Sequence, residues 1–457
     1  MDYYFSRFEH RRPPAPLHTP LWVMRLWQVL AVAGLILGAN YVRWRWMESL
    51  NMDALWYAIP LALAETLAWV GTLLFTINIW QVKDPACPPP PDEINQCLLE
   101  QDRADPRPPK VDLFIATYSE DPELVRLSIR DALKLTYPAP LDLAIHVLDD
   151  GRRPEMRAVC EQEGVNYITR ENNIGFKAGN IRNGMEQTDG DFLVICDADT
   201  RVFPTLLANT LGYFRDPDVA WVQTPQWFYD LPEGERFADW LRRRAGLPGY
   251  LFGRAAEGLF GRLTVGSDPF FNDPRMFYDV ILRRRNWANA AFCCGAASVH
   301  RREAVMQAAL RSYVFSVEEE ISRHTRDIRD DEMRATLSLA MRPHVIADTE
   351  LTPYKFHVSE DIYTSIVLHG DSGRRWRSVM HPGIESKMLS PQDLLTWMIQ
   401  RFKYAAGSLD ILFHDKIFSR RRFKLSLGQT LMYGTTFWSY LACIWNTVFL
   451  ISPLIYL

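Results

Sequence analysis

Three long apolar runs restrict what this chain can fold into more than any other feature. Leu425 to Leu457 contains no charged residue. Leu55 to Val82 is interrupted only by Glu65, and Leu26 to Val42 carries no charge, with Arg25 placed to snorkel at its edge. A helix needs roughly 20 apolar residues to cross a bilayer. The second and third runs reach that length alone, and the first reaches it with the residues before it. The competing reading, a pair of buried soluble helices, has to hide two such runs in succession. A secretory signal does not fit, because Arg43-Trp-Arg-Trp46 follows the first run in place of a small-residue cleavage site.

The basic residues orient these segments. Arg7, Arg11, Arg12 and Arg25 precede or open the first run, and only Arg43 and Arg45 lie in the loop after it. Lys416, Arg420, Arg421, Arg422 and Lys424 precede the third. Positive flanks face the cytoplasm, so the expectation is a multi-pass protein of the inner (plasma) membrane with its middle region cytosolic. The uncharged third run stops at Tyr456-Leu457, which suggests a truncated chain with further spans beyond it. The seven cysteines form no CxxC pair, which rules out a zinc ribbon or disulfide framework. A net charge of −4 gives no reason to expect a nucleic-acid partner.

Between the runs the pattern changes twice. Residues 85–110 are rich in Pro, Asp and Glu, with Pro88 to Pro91 consecutive, and read as an extended linker. Strand-like and helix-like stretches then alternate. Val111–Tyr118, Leu141–Leu148, Asn166–Thr169, Asp191–Cys196 and Val219–Gln223 read as strands, and Asp121–Leu135 as a helix with Pro122 near its start. Such alternation predicts an α/β domain over 111–385 with a mostly parallel sheet, whose ligand binds beyond the carboxyl ends of the strands. Those ends carry Thr117-Tyr118, Asp149-Asp150 and Asp197-Ala-Asp199. Alternate residues of an extended segment point the same way, so Asp197 and Asp199 suit a hard divalent cation, Mg²⁺ or Mn²⁺. A solvated turn is the plain alternative. Lys177-Ala-Gly-Asn180 could approach a phosphate or simply open a polar helix. Ser359-Glu-Asp361 could cap a helix or aim a general base into the cleft. Phe315–Arg342, dense in both charges, reads as an inserted surface helix or loop. Pro391–Phe413 has the spacing of an amphipathic helix on a membrane surface, placing interface helices in 386–424 ahead of a third transmembrane segment at 425–457 and mirroring the hairpin at 1–84.

In this order the pieces resemble the membrane-integrated processive family 2 glycosyltransferases, most of all bacterial cellulose synthase catalytic subunits. The pieces are Ala116-Thr-Tyr-Ser-Glu120, Asp149-Asp-Gly151, Lys177-Ala-Gly-Asn180, Asp197-Ala-Asp199, Gln223-Thr-Pro-Gln226, Phe292-Cys-Cys-Gly295, Ser359-Glu-Asp361 and Gln400-Arg-Phe-Lys-Tyr404. The resemblance implies a GT-A fold embedded between transmembrane helices, and an inverting enzyme that extends a β-glucan from UDP-glucose. It implies that Thr117, Tyr118 and Glu120 hold uracil, that Asp150 contacts the nucleotide with Asp149 behind it, and that Lys177 meets the diphosphate. Asp197 would touch the nucleotide-sugar, and Asp199 would ligate Mg²⁺ or Mn²⁺ with Asp197 beside it. Asp361 would be the catalytic base. Cys294 and Gly295 would line the growing glucan, and Gln400, Arg401, Lys403 and Tyr404 the acceptor site. Accessory polysaccharide-secretion subunits are an implied class of partner.

The chain departs from the family pattern at Lys403-Tyr404, where Arg-Trp is usual, at Ser359 in place of Thr, and at Ala296 in place of Ser. These departures leave open a β-1,3 or mixed-linkage product. They also leave open a non-catalytic UDP-binding subunit, whereas a non-processive transferase making a lipid-linked sugar would lack the Gln400-to-Tyr404 motif, whose presence counts against it.

Overall fold

The computed structural model describes residues 3–231, 233–261, 263–267, 274–354, 359–371, 373–415, 417–419 and 422–456. Of the residues read above, Lys416, Arg420, Arg421 and Leu457 lie outside these. Two long helices open the chain, α1 (Leu21–Met47) and α2 (Leu55–Asn78). The sequence then alternates through β1 (Lys110–Thr117), α3 (Pro122–Ala132), β2 (Asp142–Asp149), α4 (Pro154–Glu163), β3 (Asn166–Ile168), α5 (Phe176–Glu186) and β4 (Phe192–Asp197). Next come β5 (Arg201–Val202), α6 (Leu206–Thr210), β6 (Val219–Gln223), β7 (Glu233–Arg236), α7 (Phe237–Phe260), β8 (Thr264–Ser267) and β9 (Ser298–Arg301). The chain closes with α8 (Arg302–Thr325), α9 (Asp331–Asp348), α10 (Glu360–His369), β10 (Arg377–Met380), β11 (Ser386–Lys387), α11 (Leu394–His414) and α12 (Leu427–Tyr456).

Seven strands form one sheet in the order β10-β6-β9-β4-β1-β2-β3. All neighbours are parallel except β9, which runs antiparallel to β4 and β6. Alternate residues of β1 serve opposite faces. Val111, Leu113 and Ile115 pack with Val125, Ile129, Met156 and Val159 of α3 and α4. Phe114 packs on the other face with Ile181 and Met185 of α5. Register then fixes the functional rim, because Thr117 pairs with Asp149 and Ala116 with Asp197, so three strand ends finish level.

A third apolar cluster joins this domain to the helices that follow it. Trp221, Phe292, Ile366, Ile411, Tyr433 and Phe437 lie in it, drawn from β6, the loop before β9, α10, α11 and α12. The segment before β1 is strapped to the domain rather than free of it. Arg215 donates to the Pro89 and Pro90 carbonyls at 2.7 and 3.2 Å, and Ile94 and Cys97 enter the core. Between 386 and 424 the described residues hold a short strand and a single helix, α11. The charged stretch 315–342 belongs to two long helices, α8 and α9, joined by a short turn.

Leu21–Met47, Met52–Asn78 and Leu427–Ile455 are each long and apolar enough to cross a membrane. The one charge within α2 is matched, since Arg45 of α1 bonds Glu65 at 2.8 Å. Polar contacts tie these helices to the domain. Arg285 donates to Asn78 Oδ1 of α2 and Thr436 Oγ1 of α12, both at 2.7 Å. His369 of α10 meets the Tyr433 hydroxyl of α12 at 2.7 Å.

Candidate active site

The rim is built loop by loop from the strand ends. After β1, Glu120 folds back on its own loop and accepts from the Thr117 hydroxyl at 2.8 Å and from the Tyr118 and Ser119 N–H groups at 2.7 and 3.1 Å. Glu120 thereby stiffens this turn and leaves the Tyr118 ring exposed. After β2, Asp149 is fully buried and accepts from the Gly151 and Arg153 N–H groups at 3.0 and 2.8 Å and from the Tyr167 hydroxyl at 3.0 Å. Asp150 is clasped by Arg170 at 2.6 and 2.7 Å. Arg170 also holds the Ile174 and Phe176 carbonyls at 2.6 and 2.9 Å, which fixes the loop that launches α5 and its Lys177. Nothing local in the sequence marks Arg170 or Arg153. Their signal is charge, two arginines within reach of strand-end acids.

Four of the expected residues converge on one point. Lys177 Nζ donates to Asp197 Oδ1 at 2.5 Å. Gly295 lies between this pair and α10. A Cβ at Gly295 would sit 3.6 Å from Lys177 Nζ and 3.8 Å from Asp361 Oδ2. With a φ of +77°, Gly295 also holds a conformation in which side-chain-bearing residues are strained. Glu360, which sequence reasoning passed over, joins the cluster at the start of α10.

The loop 292–297 is held by contacts the motifs did not announce. Cys294 N–H donates to Gln223 Oε1 at 2.8 Å, and Gln226 donates to the Cys294 carbonyl at 3.2 Å. Cys293 N–H donates to Ser365 Oγ of α10 at 2.9 Å. Ser298 donates to the Gly295 carbonyl at 2.5 Å and meets His300 Nε2 at 2.7 Å. The buried His300 is driven down to about 3, by burial first and then by Lys177, so it stays neutral in this network.

On the far side, α11 starts at Asp393, which caps Thr396 N–H at 2.8 Å. It crosses the start of α10 closely: a Cβ at Gly407 would fall 2.1 Å from Ser359 Oγ. Tyr404 of α11 is 46% exposed, yet desolvation of its hydroxyl end, followed by the Asp361 and Asp197 charges, pushes that hydroxyl up to about 12. Gln400 is half-buried, whereas Arg401 and Lys403 are exposed on α11, with the Arg401 guanidinium 5.5 Å over the Trp397 ring. The structure therefore assembles Lys177, Asp197, Gly295, Asp361 and Tyr404, with Cys294 beside them. It keeps Asp149 and Asp150 in their own paired network and Lys403 in solvent.

The electrostatics of the cluster are those of too many acids around one cation. Burial raises Glu360 and Asp361 above the ordinary carboxylate range, and Glu360 is raised further. Against that burial, Ile362 N–H donates to Asp361 at 2.8 Å, and Lys177 favours the charged form of both carboxyls. Desolvation works against the Lys177 ammonium, but Asp197, Glu360 and Asp361 together lift it above its usual value. Asp199 stands behind Asp197, accepting from Leu389 N–H at 3.2 Å. Burial, then the Asp197 charge, push it up to about 7.

Residues 112–307 match the model of glycosyl transferase family 2. The middle of this chain is a family 2 glycosyltransferase domain. The chain is 34% identical over 200 residues to the cellulose synthase catalytic subunit [UDP-forming] of Pseudomonas fluorescens (strain SBW25), covering 44% of this chain and 23% of that protein. It is 27% identical over 438 residues to cellulose synthase 1 of Komagataeibacter xylinus, covering 94% of this chain and 22% of the other. The chain thus spans about a fifth of the length of these two relatives. Among solved structures it resembles the mannosyltransferase PcManGT from Pyrobaculum calidifontis in complex with GDP-Man and Mn²⁺, with a TM-score of 0.50 at 14% identity over 85% of each chain. The domain has the GT-A fold, flanked here by apolar helices at both ends of the chain.

Proposed function

We propose that this chain transfers glucose from UDP-glucose to the end of a growing β-glucan, with β-1,4 linkage favoured, at the cytosolic face of the inner membrane. The observation that carries the reading is the convergence of Lys177–Asp197, Gly295 and Asp361, a cation and a desolvated carboxylate that both lie within 4 Å of the position a Cβ at Gly295 would take. UDP lies along the strand ends, its uracil on the exposed Tyr118 ring and its diphosphate toward Lys177. The Glu120 turn and the Asp150–Arg170 pair hold the loops that receive it.

Asp199 and Asp197 fit a divalent cation. Asp199 is held near neutrality by burial beside a like charge, the condition a dication relieves, while the Lys177 ammonium bonds Asp197. Among the described residues no third His, Cys, Asp or Glu completes a cage, which suits an ion that takes its remaining ligands from phosphate and water. When bound, the cation neutralises charge on the departing diphosphate.

The other steps belong to the side chains. Asp361 accepts the proton of the acceptor hydroxyl, whose oxygen attacks the anomeric carbon from the face opposite UDP. The bond from that carbon to the diphosphate breaks, configuration inverts, and Lys177 stabilises the charge that develops on UDP. Tyr404 offers a flat face with a hydrogen-bonding tip to the acceptor sugar, and Gly295 and Cys294 border the path of the chain. Lys403 is a point charge where a fork is usual in the family, which makes a β-1,3 or mixed product the second reading.

Membranes containing the chain, assayed with several UDP-sugars and digested with linkage-specific glycanases, test this. UDP-glucose should give a polymer cleaved by a β-1,4-specific enzyme. UDP binding without turnover of any donor would establish the non-catalytic subunit in its place.

A further inference from the structure

We propose that α7 is a monotopic hairpin that lies on the anionic leaflet of the membrane beside α1. Between Ala245 and Gly246 the backbone leaves helical geometry, with Gly246 at φ +64° and ψ −150°. The second half folds back on the first. Cβ atoms at Gly249 and Gly253 would lie 2.6 Å from the Leu241 carbonyl oxygen and from Ala238 Cα. The two arms therefore touch backbone to backbone, and the β7–β8 ribbon and the Arg236–Glu257 ion pair at 2.7 Å close the base.

This packing turns the inner face of the second arm to the first and leaves its outer face unpartnered. Leu247, Leu251, Phe252 and Leu259 are each 59% exposed or more. A soluble surface does not present such a stripe without an occupant. The tip carries the complementary signal. Residues 237–260 hold Arg242, Arg243, Arg244 and Arg254 against Asp239 and Glu257. Glu257 is committed to Arg236, and Arg243 pairs with Glu235. The Arg244 guanidinium lies 4.1 Å over the Trp240 ring and that of Arg242 5.6 Å over Tyr250. A continuous apolar face bordered by arginine and aromatic rings matches the boundary between acyl chains and anionic headgroups.

Placement agrees with this. Just before the hairpin, Asp230 accepts from the Tyr4 hydroxyl at 2.7 Å, and Arg11 donates to the Tyr229 and Leu231 carbonyls at 2.8 and 2.6 Å. Beyond it, Arg275 donates to the Ala15 carbonyl at 3.0 Å. Both roots are thus pinned to the segment that leads into α1 at Leu21, which sets the hairpin at the level where the chain enters the membrane.

The test uses the full chain in nanodiscs, with the exposed Cys87 and Cys443 replaced by Ser and a spin label at Phe252→Cys or, separately, Leu259→Cys. In discs containing phosphatidylglycerol both labels should relax with oxygen in preference to a water-soluble nickel chelate. Arg242→Gln with Arg244→Gln should shift the ratio of immersed to exposed label by about 30-fold, at roughly a tenfold per 1.4 kcal/mol and about 1 kcal/mol for each arginine. The shift should vanish in pure phosphatidylcholine. Labels open to the nickel chelate in both lipids would overturn the proposal. So would labels immobilised equally in detergent with label-to-label broadening, which would make the stripe a contact between protein copies.

Discussion

Replacing Lys177 with Gln should move the acid limb of the pH–rate profile to higher pH. Lys177 Nζ and Asp361 Oδ2 lie on either side of the vacant Cβ position of Gly295, at 3.6 and 3.8 Å from it. They are therefore no more than about 7 Å apart. At that separation and an effective dielectric of about 20, removing the ammonium withdraws about 2 kcal/mol of stabilisation from the Asp361 carboxylate, or between one and two pH units. The sign follows from the role. A general base works only when ionised, and Asp361 is already raised by burial, with Lys177 pulling the other way. Loss of the cation raises it further, and Asp197, freed of its partner, pushes in the same direction. Activity at neutral pH should fall for two reasons, weaker hold on the diphosphate and a base that is more often protonated. The shape of the profile separates them. Initial rates of UDP release from UDP-glucose across pH 5 to 9, taken as kcat/KM, should show the limb displaced upward by one to two units and partial recovery at high pH. A uniform drop with an unmoved limb would refute the electrostatic link between Lys177 and Asp361.

Asp361→Asn preserves size and hydrogen bonding but removes the basic oxygen; transfer should fall about 10²–10⁴-fold while UDP binding, read by calorimetry, is retained. Asp199→Asn should abolish the divalent dependence of UDP binding. The carboxyl of Asp199 is raised to about 7 in the fold, so its contribution to stability is full at low pH and is lost as pH rises through that value. In chelator the Asn variant should therefore melt about 2–4 °C above the parent at pH 8, with the gap narrowing from about pH 7 downward and closing only below about pH 4, by scanning calorimetry. Gly407→Ala drives a methyl into Ser359 at the crossing of α10 and α11; it should cost about 1–3 kcal/mol in denaturant titration and raise the KM for acceptor more than that for UDP-glucose. Lys403→Arg with Tyr404→Trp should leave a polymer whose β-1,4 fraction rises in methylation analysis; an unchanged fraction would remove these two residues from linkage control.

Most of the sheet was legible because its central strands are apolar on both faces. The ends read for the strands observed as β1, β2, β4 and β6 fall within one residue of those seen, and the parallel order follows from the helices between them. β9 escaped because it is four residues long and spells Ser-Val-His-Arg, with every side chain buried by a sheet that only forms in three dimensions. The linker was read from composition as extended. Its prolines do keep it out of regular helix, but their carbonyls remain free to accept hydrogen bonds, and Arg215 uses two of them. α7 was missed for a related reason. Its apolar positions look like core spacing, yet the glycines turn that face outward.

The candidate site was legible as a set of acids and not as a set of pairs. Strand register delivers Thr117, Asp149 and Asp197 to one rim from local pattern alone. Pairing needs the crossings between distant segments, as with Arg170 and Asp150 or Gln223 and Cys294. Asp361 makes the point most fully. Its helix is clamped on both sides. Ser365 accepts from the Cys293 N–H, while His369 meets Tyr433 of α12 at 2.7 Å and Ser378 of β10 at 3.0 Å. Burial drives His369 down to about 3, so the imidazole is neutral across the working range and the clamp does not open with pH. The helix that starts with Glu360 and Asp361 is thereby held between the sheet and an apolar helix long enough to span a membrane. That hydrogen bond and the apolar cluster holding Ile366, Tyr433 and Phe437 join α12 to the helix that carries Asp361.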